Sequence, residues 1–156
     1  MDKPEYRIES LTGSYEAFGM VFDLLSRHPP FADSPLAQLA QPIRRQLRTG
    51  RQVAAVSADN ELLAYAGWVP TTRANAELWV ADIGPLLIVD DGQDAMAMTI
   101  VVSTHPGVTA ALIRRARDLN PDVKWYFKRS YGAQLRPSRK QSLQDKSLRR
   151  DDSRSG

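Results

Sequence analysis

The stretch Ala95-Met-Ala-Met-Thr-Ile-Val-Val-Ser103-Thr-His-Pro-Gly107-Val-Thr-Ala-Ala-Leu-Ile-Arg-Arg-Ala-Arg-Asp-Leu119-Asn-Pro-Asp-Val123-Lys-Trp-Tyr-Phe-Lys-Arg129 decides the fold. Residues 95–103 form a near-continuous apolar run that ends in β-branched residues, the pattern of a strand buried on both faces. Thr104 or His105 can cap a helix, and Pro106 suits its first turn. Val108, Ala111, Leu112, Ala116 and Leu119 recur at helical spacing, with Arg114, Arg115, Arg117 and Asp118 between them. Asn120-Pro121-Asp122 stops that helix, because proline cannot continue it and biases the preceding residue toward extended geometry. Val123 to Lys128 reads as a second strand. A unit of this shape predicts a parallel pair with a crossover helix, which puts the junction 104–107 at a strand's carboxyl end, where α/β sheets hold ligands.

Upstream, Val53–Val56 and Leu62–Trp68 flank Ser57-Ala-Asp-Asn-Glu61 and predict a β-hairpin. Gly67 within the second run marks either a bulge or a close backbone approach. Residues 69–76 read as loop, and Glu77–Asp82 fits a helical turn or a strand. Ile83–Val89 and then Asp90-Asp-Gly-Gln-Asp94 lead into the core strand. Two helices precede the hairpin. The first is capped at Ser14, carries Glu16 in its first turn and has a face of Tyr15, Phe18, Val21, Phe22 and Leu25; His28-Pro29-Pro30 ends it. The second starts at Asp33-Ser34-Pro35 with proline at its first position and stops at Gly50. It buries Leu36, Leu39, Ile43 and Leu47, and Pro42 predicts a kink or break near Gln41. Arg44, Arg45, Arg48 and Arg51 cluster at its end as a solvated face that suits the dipole, or as a phosphate-facing group. Residues 1–13 read as an arm. The order predicts a single-domain α/β (α+β) protein with a mixed central sheet flanked by helices: arm 1–13, domain 14–134 and tail 135–156.

The chain has 156 residues, 42% apolar and 25% charged, and this composition suits a soluble globular domain. No apolar run reaches the roughly 20 residues of a membrane span, and the polar start Met-Asp-Lys-Pro-Glu has no signal-peptide core. A cytoplasmic protein is the expectation. There is no cysteine and only two histidines, His28 and His105, so thiol catalysis and cysteine-ligated zinc are excluded and no metal site is expected. The net charge of +3 reflects the tail, where eight basic residues from Arg129 onward face Asp145, Asp151 and Asp152. Rich in Ser and Gln, 135–156 reads as disordered, either a solvated extension or a segment docking an acidic protein or nucleic acid. No aromatic follows Tyr131, so the base stacking of single-strand binders is missing.

Three groups carry candidate chemistry. Asp90, Asp91 and Asp94 lack the glutamate and alternating ligands of a calcium loop and read as a polar turn. His28, fixed before two prolines, is a candidate general base or a histidine complementing a helix dipole. His105 stands with Ser103, Thr104, Gly107 and Thr109 at the ligand-prone junction. Amides at a helix start there would bind a phosphate or a developing oxyanion, and Gly107 leaves room for a ligand; the alternative is a capped helix start that contains a histidine.

The layout of two helices, a hairpin, then strand–turn–helix–strand resembles the GNAT N-acetyltransferase fold, whose strand–helix junction holds the carrier's pyrophosphate or pantetheine arm. His105-Pro-Gly107-Val-Thr109-Ala110 keeps part of that fold's Arg/Gln-x-x-Gly-x-Gly/Ala signal. A second likeness covers about residues 17–130. Ala17-Phe-Gly-Met-Val-Phe-Asp-Leu-Leu25, a proline-bearing turn, Leu-x-x-Leu-x-x-Pro-Ile43, Gly50-Arg-Gln, the Asp59-Asn60 turn, Ala64-Tyr-Ala-Gly-Trp68 and Asp91-Gly-Gln-Asp94 look like the RTX-toxin-activating lysine acyltransferases. That family's catalytic histidine aligns with Phe31, three residues after His28, and its catalytic aspartate with Thr99 or Ile100. The resemblance implies a GNAT-like, often dimeric cytoplasmic enzyme that moves a fatty acyl chain from acyl carrier protein to a lysine of a protoxin-like protein. No cofactor is then permanently bound, and the donor is the phosphopantetheine thioester. His28 and His105 become the candidate catalytic residues, with Ser103, Thr104, Gly107 and Thr109 holding the donor. The alternative is a catalytically impaired binding module for an acyl carrier or protein partner, its basic tail docking an acidic partner.

Overall fold

The computed structural model describes residues 5–128. Along the chain run β1 (Tyr6–Glu9), α1 (Tyr15–Ser26), a 3₁₀ turn (Phe31–Asp33), α2 (Leu36–Thr49), β2 (Gln52–Ser57), β3 (Leu62–Thr71), α3 (Arg73–Val80), β4 (Ala95–Ser103), α4 (Pro106–Leu119) and β5 (Lys124–Phe127). The strands lie in one sheet in the order β1-β2-β3-β4-β5. β1 and β3 pair antiparallel with β2, and β4 and β5 pair parallel from Ala95↔Lys124 to Met98↔Phe127. The sheet is therefore mixed, as the sequence predicts. Contacts divide the described residues into two compact units, one of 5–69 with 99–122 and one of 70–98 with 123–128.

In the first unit, Val21, Leu24 and Leu25 of α1 join Ile43 and Leu47 of α2, Ala54 and Val56 of β2, Tyr65 of β3 and Ile100 and Val102 of β4 in one apolar cluster. Val53 and Ala55 are buried as well, and α4 packs on β2, so that strand is covered on both faces. Ser14 caps α1 by accepting from the Ala17 amide at 3.1 Å. In the second unit, Ala76 and Val80 of α3 pack with Ala95 and Tyr126.

Four local expectations are corrected. The arm contains a strand: β1 pairs with β2 from Tyr6↔Ser57 to Glu9↔Ala54, and the fully buried Gln52 side chain holds both Leu11 backbone groups at 3.0 and 2.8 Å. Residues 69–76 are not loop, since β3 runs to Thr71 and Thr72 caps α3 by accepting from the Asn75 amide. The helix α3 also settles the ambiguity over residues 77–82. No break occurs at Pro42, which lies inside a continuous α2. Burial of Ile43 and Leu47, about 1.5–3 kcal/mol each, offsets the roughly 3 kcal/mol cost of an interior proline. Pro35 occupies the cap position of α2 rather than its first turn, and Asp33 closes the 3₁₀ turn instead. The expected tail, 135–156, falls outside the described residues, as does the end of the domain beyond Lys128.

Candidate functional site

The junction between β4 and α4 is built by short polar side chains. Ser103 Oγ donates to the His105 carbonyl at 2.6 Å and accepts from the His105 amide at 3.1 Å. Thr104 anchors the junction to β3: its amide reaches the Leu63 carbonyl at 3.0 Å and its hydroxyl donates to the same oxygen at 3.1 Å. His105 takes the cap position in extended conformation, without a side-chain capping bond, and Pro106 opens the helix. His105 is thus the cap residue, one of the two that the sequence offers, and it caps by position, not by a side-chain bond.

Thr104 Oγ1 lies 2.7 Å from His105 Nδ1. The hydroxyl has one proton and a carbonyl only accepts, so with that proton on Leu63 the Nδ1–H donates to Thr104. The His105 ring is exposed, and Nε2 is its nitrogen not engaged by Thr104. A Cβ built on Gly107 meets no atom within 4 Å. Packing does not require the glycine, and the space a Cβ would occupy there is open. Thr109 is half-buried one turn into α4.

His28 sits elsewhere in the same unit, just past the end of α1. Its Nδ1 is 2.8 Å from the Leu24 carbonyl, an acceptor only, so Nδ1–H donates to that oxygen. Its backbone bonds to Leu25 and Ala32 fix the turn. Among the described residues no hydrogen bond joins His28 to His105, so each imidazole is oriented by its own segment. Phe31, the residue aligned with the resembling family's histidine, packs against the apolar cluster.

Sequence reasoning missed a buried polar network on the first unit. Gln46 of α2, 1% exposed, accepts from Tyr65 Oη at 2.8 Å and donates to Thr99 Oγ1 at 3.0 Å. Thr99 in turn donates to the Gly67 carbonyl at 3.4 Å. Burial raises the Tyr65 hydroxyl far above the usual phenol range. Thr99 is thereby committed to a structural bond, and Ile100 is in the core at 3% exposure. The readable signal was a glutamine on the apolar stripe of α2, three residues after Ile43. Gly67 is the close approach, not a bulge: the irregularity lies at Ala55/Val56 of β2.

The acidic run has a local role. Asp94 accepts from the Arg73 amide at 2.9 Å in the first turn of α3 and pairs with the Arg73 side chain. Among the described residues no group of three or more His, Asp or Glu could hold a metal ion. No helix there is long and apolar enough to cross a membrane.

Helices α1 and α2, the β2–β3 hairpin and the parallel β4–α4–β5 unit define a GNAT-like fold. The chain is similar in structure to the aminoglycoside antibiotic 6'-N-acetyltransferase AAC(6')-Ih from Acinetobacter baumannii, with a TM-score of 0.54 and 10% identity over 89% of each chain. At that identity the likeness shows the fold. No family model matches the chain, and no curated protein matches it. The toxin-activating acyltransferases thus receive no sequence support beyond the quoted resemblance.

Proposed function

We propose that the chain is an acyltransferase that takes an acyl thioester at the β4–α4 junction and passes the acyl group to an amine. The observation that carries this reading is the junction itself: Thr104 is held to the Leu63 carbonyl, the exposed His105 ring is held to Thr104 through Nδ1, and a Cβ on Gly107 would meet nothing within 4 Å. The amides opening α4 would face the polar arm of a pantetheine donor. An imidazole, His28 as the resemblance implies or His105 at the junction itself, takes a proton from the acceptor's ammonium, and the freed amine attacks the thioester carbonyl. The C–S bond then breaks, and the thiolate leaves and is protonated. The finer assignment is acyl carrier protein as donor and a lysine of a protein as acceptor, in a cytoplasmic homodimer. It rests on the resemblance of residues 17–130.

Incubation of the chain with acyl-loaded carrier protein, and separately with acyl-coenzyme A, tests this by free-thiol release in the presence of a lysine-bearing protein. Loss of turnover in the combined His28→Ala/His105→Ala variant is expected; unchanged turnover would refute the chemistry. One observation favours a second reading, a non-catalytic binding module: Thr99, aligned with the family's carboxylate, is bonded to Gln46 and Gly67. An imidazole without a carboxylate partner is less well oriented and its cation less stabilised. Saturable carrier binding without thiol release would support that reading.

A further inference from the structure

The residues that enter α4 hold His105 more completely than a helix start requires. Ser103 Oγ accepts from the His105 amide at 3.1 Å and donates to its carbonyl at 2.6 Å, and the same carbonyl accepts from the Val108 amide at 3.1 Å. Thr104 Oγ1 takes the ring at Nδ1, 2.7 Å away. Among the described residues, every polar atom of His105 but Nε2 therefore has a partner within this short segment. The ring is nonetheless exposed. Water would serve Nδ1 there and leave the ring its rotamers, so stability gains little from fixing it.

The hydroxyls do not serve the helix either. Serine and threonine before a helix ordinarily accept from its orphan amides, yet the cap position carries no side-chain capping bond. Ser103 and Thr104 bond to His105 and Leu63 instead. His28 offers the contrast. Its Nδ1 bond goes to the Leu24 carbonyl in the last turn of α1, one of the carbonyls that a helix end leaves short of donors. That contact has a structural reason of its own.

The proton count sets the form of the His105 ring. Thr104 Oγ1 has one proton and donates it to the Leu63 carbonyl at 3.1 Å, an oxygen that also accepts from the Thr104 amide at 3.0 Å. Toward the ring the hydroxyl oxygen can then only accept, so Nδ1 carries the hydrogen and Nε2 keeps its lone pair. A histidine in water prefers the opposite form, with hydrogen on Nε2. In the imidazolium both nitrogens donate, so the bond to Thr104 persists when Nε2 takes up a proton.

We propose that Thr104 is a positioning residue that holds His105 in the Nδ1–H form and makes its Nε2 the proton acceptor of acyl transfer. This rests on the acyl-transfer reading above and chooses between its two imidazoles. Nε2 takes one proton from the acceptor's ammonium, and the freed amine forms a C–N bond to the thioester carbonyl. The C–S bond breaks, the thiolate leaves with the proton from Nε2–H, and the second proton lost by the nitrogen goes to solvent.

The test labels the histidines of the full chain with ¹⁵N and reads the ring nitrogens above the ordinary imidazole pKa of about 6.5, with His28→Gln telling the two rings apart. The expected result is hydrogen chiefly on Nδ1 of His105 in the parent and in Thr104→Ser. In Thr104→Val, which keeps the amide bond to Leu63, it should move chiefly to Nε2. Thiol release at saturating acyl thioester should fall about tenfold in Thr104→Val, in kcat more than in KM, and Thr104→Ser should recover most of it. Hydrogen on Nε2 in the parent, a ring unchanged in Thr104→Val, or a shifted ring with kcat intact would each overturn the proposal. A parent with hydrogen on Nδ1 and no thiol release would instead overturn the acyl-transfer reading, and with it the proton transfer assigned here.

Discussion

Replacing Gly67 by alanine tests the buried network directly. A Cβ at that position would lie 1.9 Å from Gln46 Oε1 and 2.4 Å from Cδ, far inside van der Waals contact. The atoms it strikes are the end of a side chain, so the backbone need not move; the Gln46 amide must. It then loses its bonds to Tyr65 and Thr99, and the Tyr65 hydroxyl, at 0% exposure, is left without its acceptor. An unsatisfied buried hydroxyl costs about 1–3 kcal/mol and the second lost bond about 1 kcal/mol, so Gly67→Ala should cost about 3 kcal/mol. For a chain of this size that corresponds to a drop in Tm of about 6–12 °C. Gln46→Ala removes the same two bonds. In Gly67→Ala/Gln46→Ala the bonds are lost only once, so the two penalties should fail to add by about 2–3 kcal/mol in a denaturant double-mutant cycle. A Gly67→Ala variant within about 0.5 kcal/mol of the parent, or additive penalties, would refute the reasoning.

Three further outcomes are expected. Gln52→Leu keeps the volume of the side chain but frees the Leu11 backbone, so amide exchange at Leu11 and along β1 should accelerate while stability falls by about 2 kcal/mol; unchanged exchange would show that β1 is held by its ladder alone. Ser14→Ala removes the cap of α1 and should cost about 1 kcal/mol in denaturant melts, with a loss below about 0.3 kcal/mol counting against the cap. Tyr126, buried and donating to Glu77 at 3.2 Å, has its hydroxyl pushed up to about 12, first by burial and then by the Glu77 charge. A phenol whose folded pKa is raised contributes stability that is full below its ordinary value near 10 and is lost as pH rises toward 12. The Tm difference between the parent and Tyr126→Phe should therefore shrink across that window, and a constant difference would contradict the assignment.

The strand–helix–strand unit was legible because its signals are local. An apolar run from Ala95, a proline at the first turn of α4 and Asn120-Pro121 at its end each fix geometry within a few residues, and the observed β4, α4 and β5 follow them closely. The hairpin was legible for the same reason. β1 was not: Tyr-Arg-Ile-Glu has weak alternation, and its extended form comes from pairing with β2 and from Gln52, more than forty residues away. The helix α3 carried a readable cap in Thr72, hidden by the loop-like Pro70-Thr-Thr before it. Of the candidate site, the sequence located Ser103, Thr104 and His105 at one junction. It did not tell that Thr104 would grip the Leu63 carbonyl and turn the imidazole.

What the sequence determined by itself was the order of elements, the parallel unit and the place of its junction, because propensity, capping and proline chemistry act over single turns. Only the tertiary structure decided where polar groups meet across elements. Gln46 joined Tyr65, Thr99 and Gly67 in one buried network, and Phe31 packed, half-buried, against the apolar cluster. His28 and His105 were each bound to their own segment. Such pairings depend on which faces are brought together when the sheet forms, and no local pattern encodes them.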